Sequence, residues 1–120
     1  MPHKLKILLL SFRSNANLGF KPRQTKASND FGADLVLEGT IRVVVQAKRY
    51  SKRVGIRAVQ EIHSARDYYN AQEAWVVTNN FFTTPAIKLA NTNKVRLIDR
   101  YELVELILES KSFSANKKHI

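Results

Sequence analysis

"VVVQAKRYSKR", residues 43–53, runs three valines into a glutamine and a lysine two residues apart, then into a basic cluster. A short apolar run rich in β-branched residues reads as a strand buried among apolar neighbours. Side chains alternate across a strand, so Arg42, Val44, Gln46 and Lys48 share one face while Val43, Val45 and Ala47 share the other. An amide and an ammonium therefore leave the end of a buried strand side by side, where polar groups need partners.

Upstream, "ADLVL" (33–37) and "IRVVVQAK" (41–48), separated by "EGT" (38–40), read as a β-hairpin with Gly39 supplying the turn. A three-residue loop 38–40 sets Asp34 opposite Val44 and diagonal to Gln46, about 7 Å away. One carboxylate, one amide oxygen and one lysine then converge. Further upstream, "KLKILLLSF" (4–12) reads as a short helix, Gly19 as its left-handed end, and "FKPRQTKA" (20–27) as a strand whose Pro22 suits a sheet edge.

Downstream, Ile56, Val59, Ile62, Ala65, Arg66 and Tyr69 recur at the three-and-four spacing of one helical face, with Gly55 at the entry. "AWVVT" (74–78) follows as a strand. Thr84 as N-cap before Pro85 starts a short helix, "PAIKLANT" (85–92), and "VRLI" (95–98) is the last strand. Asp99 with Glu102 three residues on opens the helix "RYELVELILE" (100–109). Residues 110–120 have little to bury and are expected to fray. Helical crossovers between the later strands imply parallel pairing, so the expected fold is α/β, a central mixed sheet flanked by helices, in a single domain over 1–109.

Composition bounds the function. A chain of 120 residues, 44% apolar, buries one core and hardly two. The absence of cysteine excludes a disulfide framework and thiolate metal sites. The longest apolar run, Ile7 to Leu10, is far too short to span a bilayer, so the expectation is no membrane association and a cytoplasmic location. Twenty Lys and Arg against ten Asp and Glu give a net charge of +10, and no acid precedes Asp30. Polyanions are the favoured partners.

The constellation on the hairpin suits phosphodiester hydrolysis. Asp34 and the Gln46 oxygen are hard ligands for Mg²⁺, and Lys48 can hold the attacking water or stabilise charge growing on the phosphate. The plainer alternative is that Asp34 caps a turn, Gln46 pairs inside the core and Lys48 snorkels to water. Arg49, Tyr50, Lys52, Arg53 and Arg57 are candidate DNA contacts or a solvated loop. Glu61 is a possible accessory to a metal site, with pairing to a neighbouring arginine the safer reading. His63 reads as structural, and Trp75, Phe81 and Phe82 as core and rim instead of a base-stacking platform.

Several separate stretches, "GADLVLEG" (32–39), "VVVQAKRYSKRVGIRAVQEI" (43–62), "EAWVVTNNFFTTPAIKLAN" (73–91) and "VRLID" (95–99), resemble the catalytic domain of Mrr-type restriction endonucleases. That family is a branch of the PD-(D/E)XK nucleases, and the likeness covers roughly Gly19 to Leu108. It implies a restriction-endonuclease-like fold, with Gln46, Ala47 and Lys48 as a Q-x-K motif and Asp34 as the metal-binding aspartate. It implies further that the Ala47 backbone carbonyl is a metal ligand, Mg²⁺ the cofactor with Mn²⁺ as substitute, and DNA the substrate of an endonuclease. A glutamate on the first helix usually completes the acidic site in this family, and this chain has none there. A catalytically weakened DNA-binding module on the same fold and an RNA- or ribosome-associated basic protein stand as alternatives. Cutting both strands with one small domain points to a homodimer.

Overall fold

Eight elements form along residues 21–24 and 32–118, which the structure, a computed structural model, describes. They are β1 (Lys21–Gln24), β2 (Leu35–Glu38), β3 (Arg42–Lys48), α1 (Ile56–Tyr68), β4 (Glu73–Thr78), α2 (Thr84–Asn93), β5 (Val95–Ile98) and α3 (Arg100–Lys118). The five strands lie in the order β1-β2-β3-β4-β5. β1, β2 and β3 are antiparallel neighbours, whereas β3, β4 and β5 run parallel. The sheet is thus mixed, as the helical crossovers require. The expected helix over 4–12 and its end at Gly19 lie outside the described residues.

Period-two alternation sorts the strand residues onto two faces. Val36, Val44, Ala74, Val76 and Val95 pack against Ala58, Val59, Ile62 and Ala65 of α1 and Ala86 and Ala90 of α2. Leu35, Leu37, Val43, Val45, Ala47, Trp75, Val77 and Ile98 form the opposite cluster, with Leu103 and Leu106 of α3 against it. β3 is central and apolar on both sides, and each of its fully buried valines contributes about 1.5–3 kcal/mol. Pro22 sits in β1, an edge strand, where its missing N–H breaks no central ladder. Arg66 ties the two helices together, donating to the carbonyls of Asn93 (2.7 Å) and Lys94 (3.0 Å) at the end of α2.

Four details differ from the sequence expectations. Glu38 pairs with Arg42, so the hairpin loop is residues 39–41 and Val44 faces Val36 instead of Asp34. The loop keeps three residues, and the slip is by two places, so no side chain changes face. Thr83, not Thr84, caps α2, its hydroxyl accepting from the Ala86 N–H at 3.2 Å. Ile56, expected on the buried face of α1, is 42% exposed because it opens the helix at the sheet margin. Finally, α3 continues through Lys118 across residues expected to fray. No glycine or proline interrupts 100–118, and extending a nucleated helix gains a hydrogen bond per residue. No helix of the described residues is long and apolar enough to cross a membrane.

Candidate active site

β3 ends at the carboxyl edge of the parallel strands, where ligands bind in open α/β sheets. There, Gln46 is 4% exposed, and Lys48, one turn of the pleat further out, is half-buried. Both point towards α1. The Gln46 Nε2 donates to Glu61 Oε2 at 2.7 Å, and the Lys48 Nζ lies 3.8 Å from the same oxygen. Arg57, one helical turn before Glu61, donates to its Oε1 at 3.0 Å. Glu61 therefore does pair with an arginine, but its second oxygen belongs to the strand residues.

The Gln46 Oε1 is buried and has no hydrogen-bond partner among the described residues. A carboxylate accepts and cannot donate, so Glu61 holds the amide with nitrogen towards α1 and turns the oxygen away. Leaving such an oxygen unpaired costs about 1–3 kcal/mol unless an ion or water takes it.

Asp34 reaches the same strand from β2. Its backbone N–H donates to the Val45 carbonyl at 2.8 Å and its Oδ2 accepts from the Ala47 N–H at 2.8 Å. The two bonds bracket Gln46 in the chain. β2 begins only at Leu35, so the Asp34 carboxylate meets the Ala47 N–H where no β2 strand residue does. Gly32 explains the approach: it has φ +89°, and a Cβ there would fall 2.8 Å from the Glu61 Cβ and 2.9 Å from its carbonyl oxygen. The bend carrying Asp34 thus rests directly on the turn of α1 that presents Glu61.

Beyond Lys48 the basic loop is pinned, not loose. Asn79 Oδ1 accepts from the Tyr50 N–H (3.1 Å) and Asn80 Nδ2 donates to the Tyr50 carbonyl (3.2 Å). Val54 pairs with Phe82 in a parallel bridge. These bonds hold the Tyr50 ring 5.7 Å from the Lys48 Nζ. Lys48, Tyr50, Gly55, Arg57 and Glu61 line a shallow depression of about 370 Å³. Arg49, Lys52 and Arg53 are exposed on the loop between. The structure therefore joins Gln46, Lys48, Arg57 and Glu61 directly and attaches Asp34 through Ala47. Asn79 and Asn80 were missed as site residues. The available signal was a pair of amides at the end of a parallel strand, able to serve one donor and one acceptor of a neighbouring loop. Among the described residues no group of three or more His, Cys, Asp or Glu is placed to hold a metal ion.

Comparison with known proteins agrees with this architecture. No curated protein matches the chain in sequence. A protein of unknown function designated AF1548 superposes with a TM-score of 0.63 at 21% identity, over 86% of this chain and 67% of that one. A repair endonuclease from Pyrococcus abyssi gives 0.57 at 19% identity, over 80% and 45%. The MspJI restriction endonuclease in complex with a 27-mer oligonucleotide gives 0.58 at 18% identity, over 84% and 26%. These likenesses carry the restriction-endonuclease-like fold, and the chain spans less than half of the latter two proteins. A sequence-family model, Mrr_cat, described as restriction endonuclease, matches residues 5–107. That match takes in β1 through the first two turns of α3, including Asp34, Gln46, Lys48 and Glu61, so the chain belongs to the Mrr_cat restriction endonuclease family.

Proposed function

We propose that this protein is a Mg²⁺-dependent DNA endonuclease that hydrolyses a phosphodiester bond with water. The observation that carries the reading is the buried, unpartnered Gln46 Oε1 on a strand that also presents Lys48. The Asp34 carboxylate, the Gln46 Oε1 and the Ala47 carbonyl are hard oxygen donors, which suits Mg²⁺. These three would hold the ion. When bound, Mg²⁺ polarises a phosphoryl oxygen as a Lewis acid, and Mn²⁺ can do the same. Lys48 directs its ammonium to the attacking water and to the negative charge that builds on the phosphate. Glu61 positions both strand residues: it orients the Gln46 amide and holds Lys48 at the rim. It also brings a carboxylate to the site from α1, in a chain with no acid before Asp30.

Arg49, Tyr50, Lys52, Arg53 and Arg57 flank the depression, and the four cations among them offer the phosphate backbone of a duplex a local basic cluster at this edge. One site cuts one strand at a time, so a double-strand break in one encounter takes two copies. Supercoiled plasmid is the test: the parent protein is expected to nick it with Mg²⁺ and not with EDTA, and Lys48→Ala is expected not to. Equal nicking by both proteins would remove Lys48 from the chemistry.

A catalytically weakened DNA-binding module on the same fold is the second reading. It draws on the lack of a three-acid cluster among the described residues, which lowers the charge available to a divalent ion. Retarded plasmid that stays intact in both Mg²⁺ and Mn²⁺ would favour it.

A further inference from the structure

The edge that carries Lys48 also carries aromatic rings that hydrolysis does not use. Tyr101, in the first turn of α3, is 71% exposed. Its ring lies against Phe81, with centroids 5.1 Å apart, and the Arg53 guanidinium stands over the Phe81 ring, 5.7 Å from its centroid. Phe82 is buried in the core, but Phe81 is half-buried and Tyr101 lies largely in water. Arg53, Phe81, Phe82, Asn91 and Asp99 line a cleft of about 500 Å³, separate from the depression around Lys48 and within the size range of small-ligand sites.

Asn80 joins the two regions. Its side chain bonds the Tyr50 carbonyl and the Phe81 N–H, and its carbonyl accepts from the Arg100 N–H at 2.9 Å. β3 and β5 end two strand spacings apart, about 10 Å. That is about three base steps along a duplex.

We propose that Phe81, Tyr101 and Arg53 form a stacking site for an unpaired nucleotide of the bound DNA, within about three nucleotides of the scissile phosphate. The preferred substrate class is then DNA with an unpaired nucleotide or a strand junction beside the cut. The proposal rests on the DNA-endonuclease reading. Bases in an intact duplex are stacked on one another and cannot reach these rings, whereas an extruded base offers a π-face to any aromatic side chain. Arg53 adds a cation at the same ring and is free to meet the phosphate of that nucleotide.

Fluorescence anisotropy in EDTA tests it without cleavage, using a labelled DNA duplex and the same duplex with one unpaired nucleotide. The parent is expected to bind the second about fivefold to hundredfold more tightly, the range that one stacked base supplies. Tyr101→Leu and Phe81→Leu are expected to abolish the preference with duplex affinity unchanged, and Tyr101→Trp to keep it. Tyr101 is exposed, so its variants should fold, which unfolding curves verify. Equal affinity of the parent for both DNAs, or an undiminished preference in Tyr101→Leu, overturns the stacking site alone. If the parent binds neither DNA, the endonuclease reading falls as well.

Discussion

The Gln46 side chain donates to Glu61 Oε2 across 2.7 Å, and this one bond fixes which end of the amide faces away from α1. The oxygen that results is buried and unpaired. A residue of the helix thereby sets the chemical identity of the atom that the strand presents.

Replacing Glu61 tests that relationship. Glu61→Ala removes the acceptor and frees the amide to rotate, so Mg²⁺ affinity and nicking are expected to fall about 10- to 100-fold, as when residues that orient metal ligands are lost. Glu61→Gln, which can still accept through its own oxygen, should lie between the parent and Glu61→Ala. Calorimetric Mg²⁺ titration of the three proteins gives the order.

Gln46→Glu replaces the donor with a second carboxylate 2.7 Å from Glu61. Like charges at that distance repel, so the variant is expected to melt lower than the parent in EDTA and to recover in Mg²⁺, which it binds more tightly. A variant with parent-like melting in both buffers would place Gln46 away from any ion.

Lys48→Ala should leave DNA binding within a few-fold of the parent and lower nicking by about 10²–10³, because the ammonium acts on charge that develops in the transition state. Paired anisotropy and nicking assays separate the two effects. Loss of binding in proportion to activity would make Lys48 a phosphate contact.

The exposed loop cations give a salt signature. Each phosphate contact contributes about 0.9 to the slope of log affinity against log salt. Removing Arg49, Lys52 and Arg53 together should therefore lower the slope by up to about 2.7, with little change in sequence preference. An unaltered slope would move the DNA surface elsewhere.

Gly32→Ala puts a Cβ against the Glu61 backbone at a φ of +89°. Strain of this kind costs about 1–3 kcal/mol, and relieving it pushes the Asp34 bend off α1. Denaturant unfolding should show the loss of stability, and nicking should fall further than Lys52→Ala makes it fall.

Strand identity, pairing sense and the two-faced sheet were legible in the sequence, because period-two alternation around Val43–Lys48 and helical spacing from Ile56 to Ala65 depend on local geometry. Asp34, Gln46 and Lys48 could be placed on one strand pair by parity alone, and a two-place slip of the hairpin left that parity intact. The partners of those residues were not legible. Glu61 is one acid on a helix, equally able to pair with Arg57 or to reach the strand, and only the packing of α1 on β3, set by Gly32 and the buried Val59 and Ile62, lets it do both. The asparagines that clamp Tyr50, and the column of Arg53, Phe81 and Tyr101, join segments that lie far apart in the chain. Alternation and capping are set by neighbours in sequence, whereas a contact between loops depends on the summed geometry of every strand and helix between them. The sequence by itself determined the sheet and the strand that bears Gln46 and Lys48; the tertiary structure decided what those two side chains touch.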